Sequence, residues 1–494
     1  MDIFFENLPK MTNNHIHIYA LIPYRKLIKI IKKIDPELYD KIYVLNTNKC
    51  ESHYLYKYTL TLLNELCEGI SYDDVTCQED WVKLPVLYDE FKNQLVIDQH
   101  TPNPFAEFEK IQTLFRIFIR HYKVYYYLWY FSLYINYHNN IFYLNVRGKP
   151  GSISVDTKCS QRLYLQSKHI LSVDSFNEKI KLLSADDKDI NSSDYKYMYK
   201  QYMRMKFESD LTMKAVYDFN TNKSYPSYVS KTHLFDDDIK VLFKDRYDSK
   251  DQPQMMVQYI ITLLKPPKNV ELDLKSFMLQ AKIMLYTAVI INDEYQFPFF
   301  NGIDFVGNEQ TSHSLDKFIP VLKKLLYFRK FGISIIPHIG ETNIVTEEIS
   351  PAEQFILDTP ITRIGHGISF ITNKKILDTI NILYIESCPI SNYLLGYYNP
   401  QQHPHQSVIN SPKIKLMICS DDNAIFNYNS VKRDYIFIYK YWNVTLPEIK
   451  RLILNGLDVI PKKYKQYYLD VFKHLWSRAK IDELPVRPQF NKNN

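Results

Sequence analysis

The amino-acid sequence predicts an α/β protein built as a (β/α)₈ TIM barrel with long insertions after the first and second strands. The first observation is a series of eight short apolar runs rich in β-branched and aromatic residues. These runs are His15–Ile18, Ile141–Val146, Met255–Leu264, Gly302–Val306, Ile333–Pro337, Thr362–Ile364, Ile382–Ser387 and Ile414–Cys419. The second observation is helix-like periodicity between them, as in Leu315–Lys330 and Lys374–Thr379. Apolar strands alternating with helices indicate a parallel sheet covered on both faces, with a doubly wound open sheet as the structural alternative.

Two intervals between the predicted strands are too long for simple crossovers. Residues 21–139 are predicted to be an inserted helical region after the first strand, and residues 149–254 an insertion between the second and third strands. The second interval contains two polar stretches, 184–194 and 236–254, which are typical of surface insertions or partly disordered loops. No internal repeat is visible beyond the strand–helix alternation, so we expect residues 1–494 to form a single domain.

Composition and charge argue against several classes of protein. A formal charge of +6 and a hydrophobic fraction of 46% over 494 residues are typical of a globular protein with a sizeable core. No basic run alternates with aromatic residues, so we expect no nucleic-acid partner. The apolar segment 122–143 is broken by His138, Asn139 and Asn140 and predicts a helix running into a strand, with no membrane span. Residues 1–10 lack a secretory pattern and six cysteines are scattered, so we expect a cytoplasmic protein with free thiols.

Reactive side chains follow several predicted strands, at the end where barrel enzymes place their sites. His15 and His17 lie two residues apart on the first strand, so both imidazoles face the same side, which in a barrel is the lumen. Two neutral nitrogens close together form half of a metal site, although such a pair alone more often marks structural histidines. The fifth strand is followed by His338 and, three residues later, by the carboxylate of Glu341.

Two further groups of polar residues follow the sixth and eighth strands. His366 lies between Gly365 and Gly367, and with only 11 glycines in the chain this pattern indicates that the backbone passes close to another group. The eighth strand is followed by the adjacent carboxylates Asp421 and Asp422, the second of which could instead cap a helix. Each feature alone is typical of a structural role. Their joint position at the ends of strands one, five, six and eight predicts one site.

Five short motifs, in this order, resemble the adenosine deaminases, a family of the metal-dependent hydrolase superfamily. They are HIH (15–17), HIGE (338–341), RIGHG (363–367), CPISN (388–392) and SDD (420–422). The resemblance is closest to the adenosine deaminase growth factor branch, whose members are usually extracellular. It is carried by GIDFVGNE (302–309), HSL (313–315), HP (403–404), SDDNAIF (420–426), NPFAEFEKIQTLF (103–115) and YLNVRG (143–148). The similarity covers most of the chain outside residues 149–254.

The resemblance implies a hydrolase of purine metabolism that removes the 6-amino group of adenosine or 2′-deoxyadenosine, giving inosine and ammonia. The implied cofactor is one Zn²⁺ per chain, held by His15, His17, His338 and Asp421. Zinc would supply an activated water as the nucleophile. The expected partner is therefore a small-molecule purine nucleoside.

The resemblance also implies roles for residues around the metal. Glu341 would protonate ring N1 as a general acid, while His366 would help to orient the water toward C6. Asp422 would hydrogen-bond to N7, and the backbone of Gly307 would meet N3.

Several residues depart from the family pattern. Ile18 and Tyr19 stand where the growth factor branch carries an acid that contacts the 5′ end of the nucleoside, and Asn145 stands where relatives often carry Glu. Ile339 replaces a small alanine beside the metal. Two alternatives therefore stay open. One is a deaminase of another aminopurine such as AMP or an N6-substituted adenosine, and the other is a non-catalytic nucleoside-binding or growth-factor-like homologue.

Other features have structural interpretations. Only 14 residues precede His15, so we expect neither the signal peptide nor the N-terminal dimerisation segment of the extracellular relatives, and the oligomeric state stays open. Cys388 and Cys419 are predicted to be buried free thiols. His313 and His403 either line the pocket or make structural hydrogen bonds.

Overall fold

A computed structural model describes residues 2–40, 42–46, 58–62, 81–83, 121–151, 170–229, 252–342 and 347–479, with scattered positions in 97–119 and at 481 and 485. The strands are β1 Met11–His17, β2 Ile42–Asn46, β3 Tyr58–Leu62, β4 Trp81–Lys83, β5 Ile141–Gly148, β6 Met256–Leu264, β7 Phe300–Val306, β8 Ser334–Ile335, β9 His338–Ile339, β10 Arg363–His366, β11 Leu383–Ser387 and β12 Ile414–Ile418. The α-helices are α1 Asp2–Asn7, α2 Tyr24–Ile34, α3 Pro36–Tyr39, α4 Tyr122–His138, α5 Val173–Leu183, α6 Tyr195–Asn222, α7 Leu274–Tyr295, α8 Ile319–Leu325, α9 Pro351–Asp358, α10 Ile368–Thr372, α11 Lys374–Thr379, α12 Pro389–Leu394, α13 Lys432–Tyr441, α14 Leu446–Asp458 and α15 Lys462–Arg478.

Most strands form one parallel barrel, in the order β1-β5-β6-β7-β8 and then β9-β10-β11-β12. Strands β8 and β9 are two pieces of one strand, interrupted at Ile336 and Pro337 because proline has no backbone N–H for the ladder. The outer strands meet through Asp421, whose N–H donates to the carbonyl of His15 at 2.9 Å and whose carbonyl accepts from the N–H of His17 at 3.3 Å. The barrel is therefore closed, and the predicted (β/α)₈ fold is confirmed.

The barrel strands are buried on both faces, as expected for a sheet with helices outside and side chains inside. Strands β1 and β5 are buried along their whole lengths. Their buried residues nevertheless include polar ones, among them Asn13, Asn14, Asn145 and Arg147. Because a buried polar group needs a hydrogen-bonding partner, this interior has to contain a connected polar network.

Helix α7 covers the outside of the barrel between β6 and β7. Asp273 caps its first turn by accepting hydrogen bonds from the N–H groups of Lys275 and Ser276, both at 3.0 Å. With 22 residues it is long and apolar enough to cross a membrane, yet 67% of its most apolar window is buried inside the molecule. Phe277 packs against Phe318 with ring centroids 4.8 Å apart. These contacts are those of a core helix.

The first insertion, residues 21–139, contains α2, α3 and α4 and also a three-stranded antiparallel sheet in the order β3-β2-β4. The sequence predicted only helices there. The strands are three to five residues long and pair across long intervals, so no continuous pattern marks them. Residues 47–57, 63–80 and 84–96, and most of the motif at 103–115, lie outside the described residues.

The second insertion, residues 149–254, packs on the barrel through α5 and α6. The carboxylate of Glu208 in α6 accepts hydrogen bonds from Tyr125 Oη at 3.1 Å, Tyr259 Oη at 3.3 Å and the N–H of Gly151 at 2.8 Å. These donors belong to α4, β6 and the turn after β5. One buried acid thus ties the insertion to the barrel.

The polar stretch 184–194 is a surface insertion held by ion pairs. Lys282 of α7 donates to Asp187 at 2.5 Å and to Asp189 at 2.7 Å. Lys324 of α8 donates to Asp189 at 2.6 Å. Residues 236–251 of the second polar stretch lie outside the described residues.

Candidate metal and active site

The end of β1 places two histidines in the barrel lumen. His15 is completely buried and its Nδ1 donates to Glu386 Oε2 at 2.8 Å, so its Nε2 faces the centre of the site. That Nε2 lies 3.2 Å from Asp421 Oδ1, and His17 Nε2 lies 3.3 Å from the same oxygen. The i, i+2 spacing on a strand thus brings both rings to one carboxylate.

His338 belongs to the same group and lies at the start of β9. Its backbone N–H donates to Asp304 Oδ1 at 2.9 Å, and its Nδ1 donates to Asp304 Oδ2 at 2.7 Å. Asp304 therefore fixes both the backbone and the ring, which leaves Nε2 free to face His15. The two rings have an edge-to-face arrangement with centroids 4.6 Å apart.

The donor set fits a metal ion. The candidate ligand atoms of His15, His17, His338 and Asp421 all lie within 4.8 Å of one another, and all four residues are buried. Among the described residues, His15 Nε2 has no hydrogen-bond partner although it is fully buried. A tetrahedral zinc ion with bonds of about 2.1 Å separates neighbouring ligand atoms by about 3.4 Å, close to the histidine–aspartate spacings. Three nitrogens and one oxygen suit zinc, and water could bind only as a fifth ligand in an expanded coordination shell.

A buried guanidinium connects the two supporting carboxylates. Arg147 Nε donates to Asp304 Oδ2 at 2.7 Å, and its Nη2 donates to Glu386 Oε2. Arg363 Nε donates to the other oxygen of Glu386 at 2.5 Å, and both arginines also donate to the carbonyl of Asn14. Sequence analysis missed this network, although charged residues inside apolar strands were a visible signal.

The network sets the charge states of the supporting groups. Burial alone would raise the pKa of Glu386, but the two guanidinium groups of Arg147 and Arg363 hold that pKa at about 2. The pKa of Asp304 is lowered, against burial, by His338 and Arg147. Burial lowers the pKa of His338 to about 4, which outweighs its pairing with Asp304. His338 is therefore a neutral imidazole near neutral pH, the form that binds metal.

Glu341 lies on the turn after β9. Its backbone is held by Glu309, whose carboxylate accepts from three successive N–H groups, those of Gly340 at 2.6 Å, Glu341 at 3.0 Å and Thr342 at 3.2 Å. Gly340 adopts φ +65°, and a Cβ there would lie 2.3 Å from Ser369 Oγ. Only glycine fits this turn. Sequence analysis did not identify Glu309, which holds this turn in place.

The electrostatic surroundings favour the protonated form of the Glu341 carboxyl. Burial raises its pKa well above the usual range, and the nearby carboxylates of Asp421, Glu309 and Asp422 raise the pKa further. Lys265 acts in the opposite direction. A carboxyl that keeps its proton near neutral pH can act as a general acid.

His366 lies opposite Glu341. It adopts φ +57°, and a Cβ on Gly365 would come within 3.1 Å of His15 Cε1, so the predicted close approach of the backbone is to a histidine of the site. The side chain of Asn392 contacts His366 Nδ1 at 3.4 Å. His366 Nε2 consequently faces Glu341 Oε1 at 3.8 Å, and Asp421 Oδ2 at 3.9 Å.

The remaining predicted site residues lie at the ends of β12 and β7. Asp421 adopts φ +55°, and Asp422 beside it is 3% exposed, with its carbonyl accepting from the N–H of Ile425 at 2.9 Å. Gly307 follows β7 with φ +130°, where a Cβ would lie 3.0 Å from Ser312 Oγ. The structure thus places Asp421, Asp422 and Gly307 at the carboxyl end of the barrel.

His313 and His403, which the sequence allowed either to line the pocket or to make structural hydrogen bonds, both make hydrogen-bond contacts. His313 Nε2 contacts the carbonyl of Val270 at 2.8 Å. His403 Nε2 contacts Asn392 Oδ1 at 3.3 Å, and Asn392 in turn contacts His366. His403 is therefore linked to His366 through the side chain of Asn392.

The residues that depart from the family pattern lie at different distances from the carboxyl end of the barrel. Asn145 donates to Asn301 Oδ1 at 3.0 Å, two residues before Arg147 on β5. It thus belongs to the interior packing nearer the amino end of the barrel. Tyr19 stacks on His17 at 5.9 Å between ring centroids and so borders the metal site, while Ile18 between them in the chain is buried. Ile339 is buried as well.

Sequence comparisons identify relatives of part of the chain. The family model described as adenosine deaminase matches residues 293–472. A 165-residue stretch is 33% identical to adenosine deaminase 2 of Dictyostelium discoideum and covers 32% of this chain and 30% of that protein. A 154-residue stretch is 30% identical to adenosine deaminase of Plasmodium vivax (strain Salvador I) and covers 30% of this chain and 41% of that protein. The matches span less than half the length of these curated relatives.

Solved structures share the fold. The N6-mAMP deaminase of Arabidopsis has a TM-score of 0.54 at 15% identity, covering 96% of this chain and 100% of that chain. An amidohydrolase of Burkholderia ambifaria with bound Zn has a TM-score of 0.53 at 11% identity, covering 97% of this chain and 95% of that chain. The family match includes His338, Glu341, His366, Asp421 and Asp422. The similarity to the adenosine deaminase family is therefore carried by residues 293–472, which supply these site residues.

Proposed function

We propose that this protein is a zinc-dependent hydrolase that converts adenosine or 2′-deoxyadenosine to inosine and ammonia. The observation that carries the proposal is the buried group of His15, His17, His338 and Asp421, with the carboxyl of Glu341, whose pKa is raised, beside it. The match of residues 293–472 to the adenosine deaminase family model supports an aminopurine as the substrate class.

The metal would be held by the four residues of this group, with one ion per chain. When bound, zinc lowers the pKa of a water molecule and so supplies a nucleophile near neutral pH. Glu386 and Asp304 hold the rings of His15 and His338 in the orientation that exposes their Nε2 atoms. Such outer partners fix the tautomer of a ligating histidine.

The other residues act on the substrate and on water. Asp421 Oδ2 and His366 Nε2 are 3.9 Å apart, a spacing that one water molecule spans with a hydrogen bond to each. Glu341 would transfer its proton to ring N1, which makes C6 electrophilic while water adds there. The resulting tetrahedral carbon then loses ammonia. Asp422 would hold N7, and the Gly307 backbone would meet N3.

A second candidate function is deamination of another aminopurine, such as AMP or an N6-substituted adenosine. The specific observation is that Tyr19, which borders the metal site, and the buried Ile18 before it offer no carboxylate. A substrate altered at its 5′ end would not need one. A non-catalytic nucleoside-binding role is the remaining alternative, and turnover separates it from both enzymatic functions.

The zinc-loaded protein is expected to deaminate adenosine, because the complete set of metal and acid groups is in place. Glu341→Gln should abolish turnover while retaining zinc, since the amide cannot transfer a proton to N1. The measurement is the absorbance change between adenosine and inosine, run in parallel with 2′-deoxyadenosine, AMP and N6-methyladenosine, with zinc content determined for both proteins. Turnover of AMP or N6-methyladenosine alone would favour the second candidate. No turnover of any substrate by the zinc-loaded protein would contradict the enzymatic proposal.

The rate is expected to fall at high pH as Glu341 loses its proton. Because its pKa is raised, the acid form should persist well above the usual carboxyl range. Glu309→Gln removes a neighbouring negative charge, so the pKa of Glu341 should fall and the decline should move to lower pH. The measurement is kcat against pH for both proteins. Glu353→Gln, which changes a buried carboxylate in the capping box of α9, is the matched control. An unmoved decline in Glu309→Gln would show that the titrating acid is elsewhere.

Glu386→Gln is expected to weaken zinc affinity by roughly 10–100-fold, because His15 loses a charged partner for its Nδ1 proton. Competition with a chelator measures the affinity. Glu353→Gln again serves as the control and should keep the affinity of the parent protein. Equal affinities in a folded Glu386→Gln protein would remove the supporting role assigned to this carboxylate.

A further inference from the structure

We propose that the site contains a second cation position, formed by His366, Cys388 and Asp421 together with His15, which binds soft thiophilic ions such as Cd²⁺. The candidate ligand atoms of these four residues lie within 4.8 Å of one another, and all four side chains are buried. The residues follow neighbouring strands, since His366 ends β10, Cys388 follows β11, and Asp421 lies just beyond β12. The barrel order itself therefore brings them together.

The carboxylate of Asp421 presents one oxygen to each position. Its Oδ1 lies 3.2 Å from His15 Nε2 and 3.3 Å from His17 Nε2, within the nitrogen-rich set. Its Oδ2 lies nearer His366, 3.9 Å from the Nε2 atom. One carboxylate can thus bind two cations, one through each oxygen.

The ring of His366 supplies an independent indication of a ligand. It is completely buried, and its Nε2 has no hydrogen-bond partner among the described residues. A buried polar atom without a partner destabilises the fold, so such an atom in a native protein needs an explanation, such as a bound water molecule or ion. A cation beside Asp421 Oδ2 would satisfy it.

The donor types decide which ions the second position prefers. A thiolate is a soft ligand, whereas the set of three imidazoles and one carboxylate suits borderline zinc. The spacing from His366 to Asp421 is also wider than the two spacings in the nitrogen-rich set, which suits the longer bonds of a larger ion. Binding would deprotonate the Cys388 thiol and release that proton to solvent.

The two positions share His15, whose Nε2 can bind only one ion. In a zinc-loaded chain the second ion would therefore have three protein ligands, His366, Cys388 and Asp421 Oδ2. These include the two groups that orient water in the proposed function. The inhibition that follows rests on that function, whereas the binding itself does not.

The test adds CdCl₂ to the folded zinc-loaded chain and follows the ultraviolet absorption of a cadmium–thiolate bond, together with bound cadmium and zinc per chain. The parent protein should show this absorption with one tightly bound cadmium. Cys388→Ser and Cys388→Ala should both lose the absorption. Cys419→Ser is the matched control and should keep it, because Cys419 is an equally buried thiol that belongs to neither ligand group and contacts the carbonyl of Met417 at 3.6 Å.

Absence of the absorption in the parent protein would overturn the proposal. So would its persistence in either folded Cys388 variant, or its loss in Cys419→Ser. The readout does not depend on turnover. A protein that binds cadmium through Cys388 but deaminates nothing would contradict the proposed function and leave this inference standing, and an active protein without the absorption would do the reverse.

Discussion

The guanidinium of Arg147, buried inside the barrel, is the element on which the rest of the site depends. It donates to Asp304 and to Glu386, and each of these carboxylates holds one histidine, His338 and His15 respectively. Two carboxylates buried so close together would repel each other or take up protons without an opposite charge. Arg147 therefore keeps both ionised, and the ionised acids fix the imidazoles whose Nε2 atoms face the metal position. Truncating the arginine would remove a positive charge from both carboxylates, leaving Glu386 with Arg363 and His15, and Asp304 with His338.

Toward the mouth of the barrel, negative charges are in excess. The carboxylates of Asp421, Glu309 and Asp422 act on Glu341, opposed by Lys265, whose own pKa burial lowers. Such an excess of negative charge in a buried region is stable when a cation binds there or when one carboxyl keeps its proton. In the proposed function the site uses both solutions, with a cation held beside Asp421 and a Glu341 carboxyl whose protonated form is favoured.

Much of the fold and the metal group could be predicted from the sequence because the signals are local. The i, i+2 spacing of His15 and His17, the glycines around His366 and the apolar strand runs each require only a few consecutive residues. The supporting network could not be predicted in this way. Arg147, Asp304 and Glu386 lie on strands β5, β7 and β11, and only the closed barrel brings them into contact.

Other differences have similar causes. The antiparallel sheet of the first insertion depends on pairing between short strands across long intervals. The hydrogen bonds from the Glu341 turn to Glu309 join two loops that follow different strands, so they are not visible in the local sequence. Asn145, one of the departures from the family pattern, pairs with Asn301 inside the barrel, because side-chain depth along a tilted strand depends on register rather than on sequence distance.

The most direct test of the account is a crystal structure of the purified protein with anomalous scattering recorded at the zinc edge. The account predicts one strong anomalous peak within bonding distance of His15, His17, His338 and Asp421, with Glu386 and Asp304 still bonded to the Nδ1 atoms of His15 and His338. A zinc-supplemented crystal with an intact barrel but no peak at these residues, or with its peak elsewhere, would contradict it.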